Sequence, residues 1–258
     1  MRPSASFAIE KSLGKFFVAH RETKEGEYSI SMQRQFEIEL KDLKEQILAM
    51  GGHVEQAVEI ATQALIQRQP SMFKQVHDIE ARINREHMEV DESCLELLAR
   101  QSPLAADLRL VIAILKISTD LERMGDQAVN IAYNAKDYLE GEPVKEMIDI
   151  PKMAVEVKAM VRDALDAFVR QDRKLAEAVL LKDDVVDDLK DKVFHELIDY
   201  MTRTPTNIER ALDLILIARN LERLGDHATN IAEDVIFAVT GDDIRHGGTN
   251  PNIVKPKS

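Results

Sequence analysis

The sequence contains little of what characterises a secreted, a membrane-embedded or a nucleic-acid-binding protein. Its 258 residues include one cysteine and no tryptophan, and no apolar run approaches the length of about 18 residues that a membrane span needs. Because a single cysteine cannot form an intrachain disulfide, a reducing compartment is expected. The formal net charge of −12 disfavours nucleic acid and anionic membranes as main partners, since both are negatively charged. We therefore expect a cytoplasmic protein that does not insert into the membrane.

Glycine and proline are also scarce, with 10 and 8 residues respectively. Both residues interrupt helices, whereas Ala, Leu, Glu and Lys, which are abundant here, favour them. The chain is long enough for one large domain or two ordinary ones. The composition therefore predicts an all-α fold with a sizeable core.

The sequence does contain a long internal repeat. The stretch LERMGDQAVNIA at residues 121–132 returns as LERLGDHATNIA at residues 221–232, with nine of the twelve positions identical. A shift of 103 aligns the apolar positions of the preceding segments, for example Val54 with Val157 and Ile83 with Val186. By the second copy of the motif the shift has fallen to 100. The chain is therefore a tandem duplication of a unit of about one hundred residues.

Each unit shows the apolar periodicity of three helices. We place them near 32–68, 71–100 and 103–139 in unit one, and near 151–170, 172–202 and 206–239 in unit two. Short connections predict a tandem repeat of two antiparallel three-helix bundles, at 32–140 and 151–240, joined by the Gly- and Pro-containing segment 141–151. Residues 1–31 fit no part of the repeat and are expected to be a disordered or loosely attached extension. Residues 241–258 are expected to be a flexible tail.

The repeated motif places acidic residues on one line of a helix. Glu122 and Asp126 are four residues apart, as are Glu222 and Asp226, and all four fall outside the apolar stripe. Like charges at this spacing destabilise a helix by about 0.2–0.5 kcal/mol per pair. Since this arrangement persists in both units while other positions have diverged, we expect it to serve a shared purpose.

A second polar row lies on the preceding helix of each unit. Together the rows give two candidate sites: site one contains Glu80, Asn84, Glu122 and Asp126, and site two contains Asp183, Asp187, Glu222 and Asp226. One interpretation is a solvated acidic face. The other, which we favour, is that the rows converge on a divalent or transition metal ion such as iron, zinc, manganese or magnesium. Because site two has four carboxylates and site one has three, site two is expected to bind more tightly.

Two neighbours of the acidic residues refine this prediction. Gly125 and Gly225 lie between the acids, where a missing side chain allows another backbone or a bulky ligand to come close. His227 follows Asp226 directly, but its counterpart is Gln127, so it does not belong to the repeated set. We expect His227 at the surface or in the second shell of site two rather than as a ligand.

An enzyme is the main alternative from a different functional class. Di-iron carboxylate bundles combine Glu with Glu-x-x-His motifs that face the core, and neither copy of the repeated motif is accompanied by Glu-x-x-His. The sequence also shows no Gly-rich phosphate loop, nucleophile elbow or Ser/His/Asp order. We therefore expect no catalysis. A plain structural scaffold is a further alternative.

Several segments resemble the PhoU family over about residues 32–247. They are MGGHVEQAV in the first helix, VDESCLELLARQSPLAADLRL across the second and third, both LER-GD copies, and GDDIRH after the last helix. A single ERxGD would be weak evidence, but two copies inside a duplicated three-helix unit are specific. Residues 1–31 have no counterpart in the family pattern.

The resemblance implies a function that composition and spacing do not. Members of this family are cytoplasmic, non-enzymatic regulators built from two three-helix bundles, and paired E(D)xxxD rows in them hold metal ions. The family couples the ATPase subunit of a phosphate ABC transporter to a phosphate-sensing histidine kinase, and negatively regulates phosphate uptake and the phosphate-starvation response. A homodimer is the family's tendency. A related accessory protein that serves another phosphate transporter remains an alternative.

Overall fold

The computed structural model describes residues 5–101, 103–144 and 149–244, with side chains described from residue 34 onward. Six α-helices lie within these residues: α1 (Ala5–Ile66), α2 (Phe73–Gln101), α3 (Ala105–Leu139), α4 (Asp149–Arg170), α5 (Arg173–Arg203) and α6 (Ile208–Thr240). Short 3-10 turns, Pro70–Met72 and Pro205–Asn207, precede α2 and α6. Over the same ranges there is no strand, and no helix is both long and apolar enough to span a membrane. The predicted all-α fold is confirmed.

The helices form two three-helix bundles. Helices α1, α2 and α3 pack on one another, as do α4, α5 and α6. The bundles meet mainly along α3 and α6, with a second contact between α1 and α4. This arrangement confirms the predicted tandem repeat of helical bundles.

The apolar positions that the shift of 103 aligns have the same role in both bundles. Val54 and Val157 are fully buried in α1 and α4, and Val76 and Val179 are fully buried in α2 and α5. The buried residues of the two bundles merge into one hydrophobic cluster. Burial of apolar surface, at about 25 cal/mol per Å², is therefore what holds the helices and the two units together.

The α1–α4 contact is reciprocal. Glu55 on α1 pairs with Arg162 on α4, and Glu59 pairs with Lys158. The shift of 103 maps Glu55 onto Lys158 and Glu59 onto Arg162, so each pair is the other with its two units exchanged. A contact of this kind is the intrachain equivalent of an isologous dimer interface. The two units therefore face each other about an approximate two-fold axis.

The larger contact, between α3 and α6, buries polar residues. His227 on α6 is 9% exposed and bonds to Asp120 on α3. The expected surface position is therefore wrong for His227, whereas the expectation that it lies beside site two without being a ligand stays a prediction. Its neighbour Asp226 faces outward, but the next position on a helix is rotated by about 100°, which turns His227 toward the partner unit.

The predicted helix boundaries agree with the structure except at the start of the chain. The first helix was expected to begin near residue 32, but α1 begins at Ala5, so residues 5–31 are helical. Extending an existing helix needs no new nucleus, and a helix can therefore continue beyond the segment that packs in a core. That residues 1–31 are only loosely attached to the bundle stays a prediction.

At the other end of the chain, the last helix stops close to the predicted boundary. Helix α6 ends at Thr240, and Gly241 follows with φ of 81°, the left-handed conformation in which glycine is favoured as a helix terminator. Residues 241–244 are not helical. The rest of the predicted tail, residues 245–258, lies outside the described residues.

Candidate functional site

The two polar rows of each unit lie on helices that pack directly against each other, α2 and α3 in unit one and α5 and α6 in unit two. A β-carbon added at Gly125 would lie 3.2 Å from Cδ1 of Ile83, and one added at Gly225 would lie 3.6 Å from Cγ1 of Val186. Ile83 and Val186 are equivalent positions, so the rows are held in the same register in both units. The close approach predicted at these glycines is made by an aliphatic side chain of the neighbouring helix.

The acidic residues lie beside the core rather than in it. Asp126 and Asp226 are exposed, and Glu122 and Glu222 are partly buried. The adjacent Leu121 and its equivalents on the apolar stripe are fully buried. The side chains of both candidate sites are therefore accessible from solvent while standing on helices that the core fixes in place.

Site one brings the two rows of unit one into electrostatic contact. Partial burial raises the pKa of the Glu122 carboxyl, and the negative charges of Asp126 and Glu80 raise it further, against the opposing effect of His87 and Arg123. Glu80 on α2 thus acts on Glu122 on α3. The carboxylates of the two helices therefore repel each other.

Asn84, the one uncharged member of site one, is held by its neighbour. Its Nδ2 donates a hydrogen bond to Oε1 of Glu80 over 2.5 Å. Its other amide atom, Oδ1, is shut off from solvent and accepts no hydrogen bond from any residue that the structure describes. A buried acceptor without a donor is unfavourable by about 1–3 kcal/mol. This oxygen is therefore one observation that fits a cation at site one.

Site two shows a stronger effect of the same kind. Neighbouring atoms desolvate the Asp226 carboxyl and raise its pKa to about 6, with further contributions from Glu222, Asp183 and Asp187 and an opposing one from His227. The carboxylates of both rows thus act on Asp226. The four predicted residues of site two therefore lie near one another, and the repulsion between their carboxylates is unfavourable.

A lysine that the sequence interpretation did not include lies within site two. Lys190 Nζ is 3.3 Å from Oε1 of Glu222 on α6 and 3.4 Å from Oδ1 of Asp187 on its own helix. It also lies 3.5 Å from Oδ1 of Asp191. Because Lys190 partly neutralises this cluster, the count of four carboxylates overstates the negative charge of site two. The contact with Asp187 could be read from the sequence, since Lys190 follows Asp187 by about one helical turn, but the contact with Glu222 on α6 could not.

The equivalent position in site one is a histidine. The shift of 103 that aligns Ile83 with Val186 also aligns His87 with Lys190. His87 Nδ1 is 3.2 Å from the hydroxyl of Ser118 on α3, and Nε2 is 3.7 Å from Oδ2 of Asp91. Ser118 lies one turn before Glu122 on α3. His87 therefore occupies the position equivalent to Lys190 and contacts the helix that carries the facing row of site one.

Carboxylate, amide and imidazole groups are the donors that divalent and borderline transition ions bind in proteins. By chemistry, therefore, both sets fit a cation. Among the described residues, however, no group of three or more His, Cys, Asp or Glu side chains is already arranged around one point as a metal would require. A bound ion would need these side chains to turn toward one another, while the helices that carry them stay in place.

Comparisons with known proteins identify relatives of the whole repeat. A sequence profile described as the PhoU domain matches residues 47–135 and 150–235, one match in each bundle. A phosphate-specific transport system accessory protein PhoU homolog of Pseudomonas putida is 43% identical over 218 residues, which are 84% of this chain and 85% of that protein. A homolog of the same description from Aquifex aeolicus is 38% identical over 81% of this chain and 94% of that protein.

Two solved structures of PhoU proteins have a similar fold. The crystal structure of PhoU from Pseudomonas aeruginosa superposes with a TM-score of 0.77 at 43% identity, and covers 80% of this chain and 99% of that one. The phosphate transport system regulatory protein PhoU from Streptococcus pneumoniae has a TM-score of 0.75 at 28% identity, with 81% and 99% of the two chains covered. The similarity therefore extends over nearly the full length of both solved chains.

Proposed function

Because this chain belongs to the PhoU family, we propose that it is an accessory protein of a phosphate-specific transport system and acts there as a metal-binding regulatory adaptor. Relatives that are 43% and 38% identical carry the name phosphate-specific transport system accessory protein. Each of them is covered over at least 85% of its length, so the similarity extends over both repeats. This extent of similarity is the observation that carries the proposal.

In this role the protein restrains phosphate uptake and keeps the phosphate-starvation response off when phosphate is plentiful. It does so in the cytoplasm, by contacting the ATPase subunit of a phosphate ABC transporter and a phosphate-sensing histidine kinase, and it works as a homodimer without catalysing a reaction. The net charge of −12 supports partners that present basic surfaces. The name of the Streptococcus pneumoniae relative, a phosphate transport system regulatory protein, supports a regulatory role.

A metal ion is the second part of the proposal. Glu80, Asn84, Glu122 and Asp126 would hold it in unit one, and Asp183, Asp187, Glu222 and Asp226 in unit two. A bound divalent ion supplies positive charge between the rows and links α2 to α3 or α5 to α6. The repulsion that the facing carboxylates exert on Glu122 and on Asp226 supports this part, because a bound cation would relieve it.

Elemental analysis of the full chain, purified without a metal-affinity tag, tests the metal-binding part. We expect at least one iron, zinc or manganese ion per chain, and a loss of that metal when Asp126→Asn and Asp226→Asn are combined. Asn84→Asp should strengthen site one, because each added carboxylate favours a hard cation. Purified protein that contains no metal and takes up none on addition would contradict this part.

The regulatory part is tested in cells. A strain that lacks the protein should express a phosphate-starvation reporter in phosphate-rich medium, and the wild-type chain should restore repression. The variant His195→Ala changes an exposed side chain and should restore repression as the wild-type chain does, so it serves as a control for surface substitutions. A strain whose reporter stays off without the protein would refute negative regulation, and oxygen consumption by the iron-loaded chain would favour a di-iron enzyme.

A further inference from the structure

Besides Asn84 and Asp187, the two candidate sites also differ in charge type at positions 87 and 190. Lys190 Nζ bonds one carboxylate from each row of site two, Asp187 on α5 and Glu222 on α6. The ammonium group therefore bridges the same two helices that a metal ion would bridge.

A cation in site two would have to compete with this ammonium group. A divalent ion binds carboxylate oxygens at about 2.0–2.6 Å. Lys190 Nζ lies 3.3 Å and 3.4 Å from the oxygens of Glu222 and Asp187 that such an ion would use. Two positive charges on the same oxygens repel each other, so Lys190 must swing away before a metal can bind both rows.

Site one has the opposite character. An imidazole such as that of His87 can offer a nitrogen lone pair to a metal ion, whereas an ammonium group has none. Its Nδ1 contacts Ser118 on α3, one turn before Glu122, and its Nε2 lies 3.7 Å from Oδ2 of Asp91. Imidazole nitrogen suits zinc, iron and other borderline ions, whereas magnesium prefers oxygen.

We infer that the residue at this shared position sets the metal preference of each unit: His87 makes site one a mixed nitrogen and oxygen site for a transition ion, and Lys190 serves as a built-in counter-ion that keeps site two weak. This inference rests on the proposed metal binding. It reverses the order of affinity that the number of carboxylates suggests. The pseudo-symmetric protein would then carry one strong transition-metal site rather than two equal ones.

Titration of the tag-free, chelator-treated full chain with zinc chloride, by calorimetry, tests the inference. Wild-type protein should bind one zinc ion tightly, and Glu122→Gln should weaken that site. His87→Lys should lower its affinity by about tenfold or more, the range that outer ligands alone already reach. Lys190→His should add a second zinc site. His195→Lys, the same change at an exposed position of α5, should leave zinc binding as it is in the wild type.

Two further measurements separate a ligand from a merely structural residue. Titration with magnesium chloride should respond little to His87→Gln, because magnesium gains nothing from imidazole. Cobalt(II) in place of zinc should give visible absorption bands that change with His87→Gln. Circular dichroism of each variant establishes that the helices are intact.

The outcomes distinguish this inference from the proposal on which it rests. Two equal zinc sites in the wild type, or unchanged binding in both His87→Lys and Lys190→His, would overturn the inference and leave metal binding standing. An absence of zinc and magnesium binding in the wild type and in every variant would overturn both.

Discussion

His227 on α6 donates a hydrogen bond from Nδ1 to Oδ1 of Asp120 on α3 over 2.8 Å, in the middle of the contact between the two repeats. Asn230 Nδ2 donates to the same oxygen over 3.2 Å. The pseudo-symmetric counterparts of the pair are Gln127 and Asn220, which are buried but neutral. The two halves of the α3–α6 contact are built from equivalent helix segments but differ in charge. One half contains the buried His227–Asp120 pair, and the other has the neutral Gln127 and Asn220 at the equivalent positions.

Replacing His227 by Leu should destabilise the protein by about 1–3 kcal/mol, because the buried Asp120 carboxylate would keep Asn230 and lose its histidine donor. Urea unfolding followed by circular dichroism measures the change. His227→Gln should recover part of the loss, since the amide can donate to Asp120. His195→Leu, at an exposed histidine, is the matched control and should stay within about 0.5 kcal/mol. Equal effects of the two leucine variants would contradict a structural role for the pair.

The positions of five of the six helices follow from the sequence alone, because the apolar periodicity is strong and occurs in both repeats. Val54 and Val157, aligned by the repeat, are both fully buried. The start of α1 at Ala5 did not follow, since residues 1–31 show no clear apolar stripe in the sequence. For such a segment, only the low cost of extending an existing helix favours helical structure.

The candidate sites were predictable in part. The spacing of Glu122 with Asp126, and of Glu222 with Asp226, places each pair on one helix line, and the repeat then identifies the facing rows. The roles of Lys190 and His227 depend on which helices meet and at what rotation, so they could not be read from a single helix. Lys190 reaches across to α6, and His227 reaches across to the other repeat.

The glycines between the acids should respond differently to alanine. Gly225→Ala should stabilise the protein by up to about 1 kcal/mol, because a β-carbon there lies 3.6 Å from Val186 and alanine favours a helix interior. Gly125→Ala should gain less or nothing, because its β-carbon would lie 3.2 Å from Ile83 Cδ1 and force that side chain to shift. Chemical denaturation of the two variants side by side checks this order. A larger gain at Gly125 would show that Ile83 yields more easily than its packing suggests.

Deletion of residues 1–31 should leave the melting temperature nearly unchanged. The family match begins at residue 47, and the repeat itself begins near residue 32, so the removed segment has no equivalent in unit two. The start of the shortened α1 would remain anchored by Phe36 and Leu43, which are buried. Differential scanning calorimetry of the shortened and full chains is the measurement. A fall of several degrees would show that the first part of α1 packs on the bundle.

Asp213 on α6 should make the protein less stable as the pH rises toward neutrality. Partial burial raises its pKa to about 6 from the ordinary 3.8, and the charges of Asp137 on α3 and Glu209 on α6 add to this. Because the pKa is higher in the folded chain than in the unfolded chain, protonation favours folding. This contribution is complete below about pH 4 and is lost as the pH passes 6.

Asp213→Asn should therefore be more stable than the wild type at pH 7, by about 1 kcal/mol or less because solvent screens a group this exposed. The difference should vanish near pH 4. Asp199→Asn, at an exposed residue paired with Arg203, is the control and should give no gain at either pH. Urea midpoints measured from pH 4 to pH 8 decide the matter, and a gain that does not depend on pH would exclude Asp213 as its source.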